Sequence, residues 1–98
     1  MTDVQLTDKE LSMVQGILAV VIPSHQVFIF GSRAKGNAKP YSDLDLLIKS
    51  DDELDLMTLA ELKDAFSQSD LPFKVDICEW AGLDDGFKRR ISQELIQI

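Results

Sequence analysis

The sequence predicts a small α/β (α+β) domain: a three-stranded mixed sheet flanked by helices, in the order α-β-α-β-α-β-α. Three observations carry this expectation. Two segments, Thr7–Glu10 and Ser50–Glu53, read Ser/Thr-x-x-Glu, the reciprocal cap that starts a helix. Three short apolar runs, QVFIF, DLDLLIK and FKVDICE, have the length and side chains of strands. Elsewhere apolar residues recur at helical spacing. Ninety-eight residues make one domain, 1–98.

The first helix is expected from Thr7 onward. Leu11, Val14, Leu18 and Val21 share one stripe, and Pro23 stops the run. Gln26 to Phe30 is the first strand, ended by Gly31. Residues 31–42 hold two glycines, an Asn and a Pro, which predicts a connection with one helical turn around Arg33 to Lys35. Asp43 to Lys49 is the second strand. Ser50 to Glu53 then caps a helix reaching to about Ser69, with the acidic run 51–55 as first-turn charge favoured by the helix dipole. Pro72 closes that unit, and Phe73 to Glu79 is the third strand. Asp84 or Asp85 opens a last helix with Phe87, Ile91, Leu95 and Ile98 on one stripe.

Composition narrows the partners. Ten basic and seventeen acidic residues give a net charge of -7, which argues against charge-driven binding to nucleic acid. The single cysteine, Cys78, rules out an internal disulfide and is expected as a small buried hydrophobe. The one histidine, His25, is expected in a loop. Acidic residues near the start argue against a signal peptide, and the longest apolar run, Ile17 to Ile22, is too short to span a bilayer. The expected location is cytoplasmic, with no membrane association.

Asp43 and Asp45 stand out because carboxylates are poor strand formers. Side chains alternate along a strand, so the two project from one face with Cα atoms about 6.6 Å apart. Asp76, between Val75 and Ile77, converges with them if its strand pairs beside theirs. Two carboxylates about 4 Å apart repel by about 4 kcal/mol at an effective dielectric of about 20. One acid must therefore hold a proton, or a cation must neutralise the group. Carboxylates with waters and phosphate oxygens are natural ligands of Mg²⁺, and two such ions suit phosphoryl or nucleotidyl displacement. Upstream, Gly31 lets the backbone approach a ligand closely and Ser32 adds a hydroxyl. The turn that follows directs N–H groups toward an anion, with Arg33 and Lys35 adding positive charge. A calcium loop is a poorer reading, since Asp43-Leu44-Asp45-Leu46 lacks a third short-range ligand and the required glycine.

The stretch GSRAKGNAKPYSDLDLLI, Gly-Ser followed after ten residues by Asp-x-Asp, resembles the signature of the DNA polymerase beta-like nucleotidyltransferases, in particular the minimal nucleotidyltransferases of prokaryotes. The resemblance spans nearly the whole chain. It implies the nucleotidyltransferase fold and transfer of AMP from ATP to a hydroxyl, with pyrophosphate released. Gly31 and Ser32 match the pair that binds the nucleotide phosphates. Arg33 matches a basic position near the triphosphate. Asp43, Asp45 and Asp76 match the catalytic carboxylates that hold two Mg²⁺ ions, Asp76 beside the acceptor hydroxyl. Larger relatives carry a further domain for base and acceptor, so a second chain or a second copy is expected to complete the site. The resemblance implies a helical HEPN-domain partner, an RNase toxin whose tyrosine is adenylylated, with this chain as antitoxin. Two other functions stay open: a binding subunit that neutralises or scaffolds a helical partner without catalysis, and transfer to a small molecule such as an aminoglycoside. Beyond the positive charge of Lys35, no role is assigned to Lys35, Lys39, Tyr41 or Trp80.

Overall fold

A computed structural model describes residues 4–98. Helix α1 (Asp8–Val21) starts where its cap predicts: the Thr7 hydroxyl accepts from the Glu10 N–H at 3.1 Å, and Glu10 accepts from the Thr7 N–H at 2.9 Å. Strand β1 (Gln26–Phe30) runs into the single turn α2 (Ser32–Lys35), which Gly36 closes at φ 81°. Strand β2 (Leu44–Lys49), helix α3 (Leu56–Ser67), strand β3 (Val75–Glu79) and helix α4 (Asp85–Ser92) follow, with a 3₁₀ turn at Trp80–Gly82. The chain then forms a short strand β4 (Ile96–Gln97).

The fold class stands, with four strands in place of three and three local corrections. Ser50 does not cap a helix; its hydroxyl accepts from the Asp52 N–H in a bend. Asp55 caps α3 instead, accepting from both the N–H and the hydroxyl of Thr58 at 2.8 and 2.9 Å. Residues 51–54 therefore precede the helix, and the Leu54 N–H donates to Glu79 at the end of β3. The last helix stops at Ser92, so Leu95 and Ile98 lie beyond it. Ile96 and Gln97 pair with Ile29 and Phe28, a ladder that removes the end of the chain from the helical stripe. Finally, β3 begins at Val75, after Phe73 and Lys74.

The strand order is β3-β2-β1-β4. β2 is antiparallel to β1 and parallel to β3, so α3 serves as the crossover. Alternation along the strands builds two cores. Val27, Ile29, Leu44, Leu46 and Ile48 face α1 and α3, meeting Val14, Leu18, Leu62 and Phe66. On the other face, Phe30 and Leu47 pack with Ile91 of α4, flanked by Phe28, Cys78, Trp80 and Phe87. Each fully buried aliphatic side chain contributes about 1.5–3 kcal/mol, and the central strand β2 has four buried residues in six. This rigid strand fixes where its polar end points. Among the described residues, no helix is long and apolar enough to cross a membrane.

Candidate active site

The second face of the sheet is apolar under α4 and acidic at its mouth. Asp45 alternates with Leu44 and Leu46, which are wholly buried against the first core, and so emerges on the α4 side. Asp76 lies between Val75 and Ile77, which pack against that same first core, so it emerges with Asp45. The two are direct register partners across the parallel β2–β3 pair. Asp43 sits one residue before β2 and is exposed.

Proximity has an electrostatic consequence. The Asp45 carboxyl is held above its ordinary value, first by burial, then by the negative charges of Asp76, Asp43 and Glu94. The Cys78 thiol, one turn of the pleat further on, is pushed up by burial and by Asp45 and Asp76. Cys78 is half-buried beside the second core, close to its expected role. An exposed cation partly relieves the group: Lys74 approaches Asp76 at 3.6 Å. Asp45, Asp76, Cys78, Phe30 and Phe87 line a cleft of about 890 Å³ that also reaches Lys63 and Lys74.

Gly31 fits against this group. It adopts φ 77° and ψ -155°, a region that essentially only glycine occupies. A Cβ there would collide with Oδ2 of Asp45. The Gly-Ser turn and the Asp-x-Asp strand thus touch through one glycine. Phe30, just before it, is the cross-strand partner of Asp45. A second cleft of about 580 Å³ opens beside Gly31, with Lys35, Arg90 and Glu94 on its walls. Lys35 pairs with Glu94 at 3.2 Å. Glu94 is the acid that sequence reasoning passed over. It lies between α4 and β4, and nothing local marks it as a neighbour of Asp45.

Arg33 is not at this site, contrary to its expected contact with the triphosphate. It is 4% exposed. Its guanidinium donates to the carbonyls of Gln5, Pro40 and Ser42 and lies 4.0 Å above the Phe73 ring. Those donors are already spent on backbone. Trp80 and Phe87 serve the second core, the Phe87 ring meeting Phe30 edge-on at 6.2 Å. His25 is an exposed loop residue.

The donor set of Asp43, Asp45 and Asp76 suits a hard divalent cation, because clustered carboxylates repel until something positive joins them. Among the described residues, no three acidic, histidine or cysteine side chains form a ready-made metal cage. Mg²⁺ does not require one, since it retains waters and takes phosphate oxygens from its substrate.

Residues 18–98 match the protein family described as "Polymerase beta, Nucleotidyltransferase". The chain is 44% identical over 93 residues to the "Probable protein adenylyltransferase MntA" of Haemophilus influenzae, covering 95% of this chain and 82% of that protein. It superposes with a TM-score of 0.72 and 28% identity on a solved structure provisionally described as a minimal nucleotidyltransferase, covering 93% of this chain and 94% of the other. A chain from the complex of a tri-AMPylated Shewanella oneidensis HEPN toxin with its MNT antitoxin matches with a TM-score of 0.63 at 20% identity, over 88% of this chain and 66% of that one, a likeness of fold.

Proposed function

The chain belongs to the polymerase beta nucleotidyltransferase family, and on that premise we propose that it transfers AMP from ATP to a tyrosine hydroxyl of a HEPN-domain toxin, acting as that toxin's antitoxin. One observation carries the proposal. Asp45 and Asp76 face each other across β2 and β3 while Gly31 abuts the Asp45 carboxylate, so an acidic pair and a Cβ-free turn share one mouth. The relative's adenylyltransferase name and the AMPylated toxin complex support the transferred group and the partner.

On this proposal Gly31 and Ser32 receive the β- and γ-phosphates, and Asp43, Asp45 and Asp76 hold Mg²⁺. Bound there, the ion would supply stabilisation of the negative charge that develops in the displacement. Asp76, at the sheet edge on β3, takes the proton of the acceptor hydroxyl. The acceptor oxygen bonds to the α-phosphorus, the α–β bridge breaks, and pyrophosphate departs with the electron pair. Partial burial of Asp45 on the α4 side strengthens the electrostatic contacts it makes.

The test is co-expression with the helical partner, followed by incubation with ATP and Mg²⁺ and intact mass measurement. The partner should gain whole AMP units. Asp43→Asn and Asp45→Asn should abolish the gain while the complex survives gel filtration. Equal labelling by the double Asn variant would refute the metal site. A complex that forms without any mass gain from the parent protein would make the chain a binding subunit.

A further inference from the structure

We propose that Arg33 is a positioning residue for Asp43, acting through the backbone of the connection between α2 and β2. The proposal rests on the metal-binding role given to Asp43 above. Arg33 Nε and Nη2 grip the carbonyl of Ser42 at 3.1 and 2.9 Å. That carbonyl belongs to the peptide bond linking Ser42 to Asp43, so holding it fixes the plane from which Asp43 departs. Nη2 also reaches the carbonyl of Pro40 at 3.1 Å, and Nη1 the carbonyl of Gln5 at 2.8 Å.

The guanidinium is the hub of three segments. Gln5 ties the region before α1 to the same connection: its side chain donates to the Ala38 carbonyl and accepts from the Ala38 N–H, and its N–H donates to the Arg33 carbonyl. Phe73, under the guanidinium at 4.0 Å, lies two residues before β3, and the carbonyl of the intervening Lys74 accepts from the Leu44 N–H at 2.9 Å. Arg33 is also covalently next to Ser32. One side chain thus sets the spacing between the Gly-Ser turn and the acidic strand. A lysine cannot do this, because its compact ammonium lacks the planar fork needed to reach separated carbonyls at once.

The test uses the full chain. Arg33→Lys keeps the charge and removes the fork. Supports that orient a metal ligand typically change affinity or activity by 10–100-fold when lost. Arg33→Lys should therefore raise the Mg²⁺ concentration for half-maximal AMP transfer by about tenfold or more, while the rate at saturating Mg²⁺ falls much less. Mn²⁺ affinity, read by electron paramagnetic resonance with a non-hydrolysable ATP analogue, should weaken by the same factor. Amide exchange at residues 41–44 should accelerate while exchange in β1 stays slow. A folded Arg33→Lys with unchanged ion dependence overturns the proposal. If Arg33→Lys fails to fold, Phe73→Leu decides. It withdraws the stacking surface together with part of the first core, where Phe73 is buried, and leaves the Arg33 fork intact. It should shift the ion dependence in the same direction by less, and an unchanged ion dependence again overturns the proposal. Asp43→Asn in the same assays separates the two claims. Full activity in Asp43→Asn removes the role of Asp43 itself. Loss in Asp43→Asn beside an unaffected Arg33→Lys removes only the positioning.

Discussion

Asp45→Asn should inactivate the protein and make it more stable in the absence of divalent ions. Asp45 and Asp76 are register partners on neighbouring strands, about 4.8 Å apart along the hydrogen-bonding direction. Two charges at about 5 Å repel by about 3 kcal/mol at an effective dielectric of 20 and about 1 kcal/mol in bulk water. The Asp76 side chain is 40% exposed and has Lys74 nearby, which places the net near the lower figure. A gain of about 1 kcal/mol raises the Tm of a domain this size by about 4–8 °C. The pH dependence carries the sign. Burial and like charges raise the Asp45 pKa, so proton uptake there favours the folded state in acid. That advantage is complete below the ordinary carboxylate value and disappears as pH rises through the elevated one. The stabilisation by Asn should accordingly be full at neutral pH, shrink in acid, and weaken in high salt. Circular-dichroism melts with chelator at several pH values read this directly. A lower Tm for Asp45→Asn at neutral pH, or a gain that persists in strong acid, would refute the picture of a strained acidic mouth.

Gly31→Ala should cost about 1–3 kcal/mol, because its φ 77° and ψ -155° suit only glycine and its new Cβ would meet the Asp45 carboxylate. Denaturant melts of Gly31→Ala alone and combined with Asp45→Ala should show a non-additive pair, and strict additivity would mean that the two residues do not touch. Asp55→Ala should lower the Tm at neutral pH, since Thr58 hydrogen bonds hold the Asp55 carboxyl below its ordinary value. That contribution is present above the ordinary carboxylate value and is lost as pH falls through the depressed one, so parent and variant should melt together in strong acid; a difference that survives there would place the effect elsewhere.

What the sequence reveals depends on how local the deciding interaction is. The Thr7 cap is legible because both partners lie within four residues. Ser50 presents the same pattern and fails, because Asp55 makes two bonds to Thr58 and distant Glu79 holds the Leu54 N–H outside the helix. The shared face of Asp45 and Asp76 is half legible. Strand alternation gives each side chain a face, but only the parallel pairing of β2 with β3 brings them level. β4 is two residues long and exists through its pairing with β1, which no local pattern announces. Arg33 misleads for a physical reason. Its charge beside a Gly-Ser turn suggests a phosphate, whereas carbonyls from residues 5, 40 and 42 and the Phe73 ring assemble around it only in the folded chain.

Parallel reactions with ATP labelled at the α- or the γ-phosphate, in the presence of Mg²⁺ and the helical partner, test the central claim most directly. The α label should appear on the partner, the γ label should leave as pyrophosphate, and Asp45→Asn should show neither. Retention of the γ label on protein, or undiminished α labelling by Asp45→Asn, would contradict nucleotidyl transfer at the mouth formed by Asp43, Asp45 and Asp76.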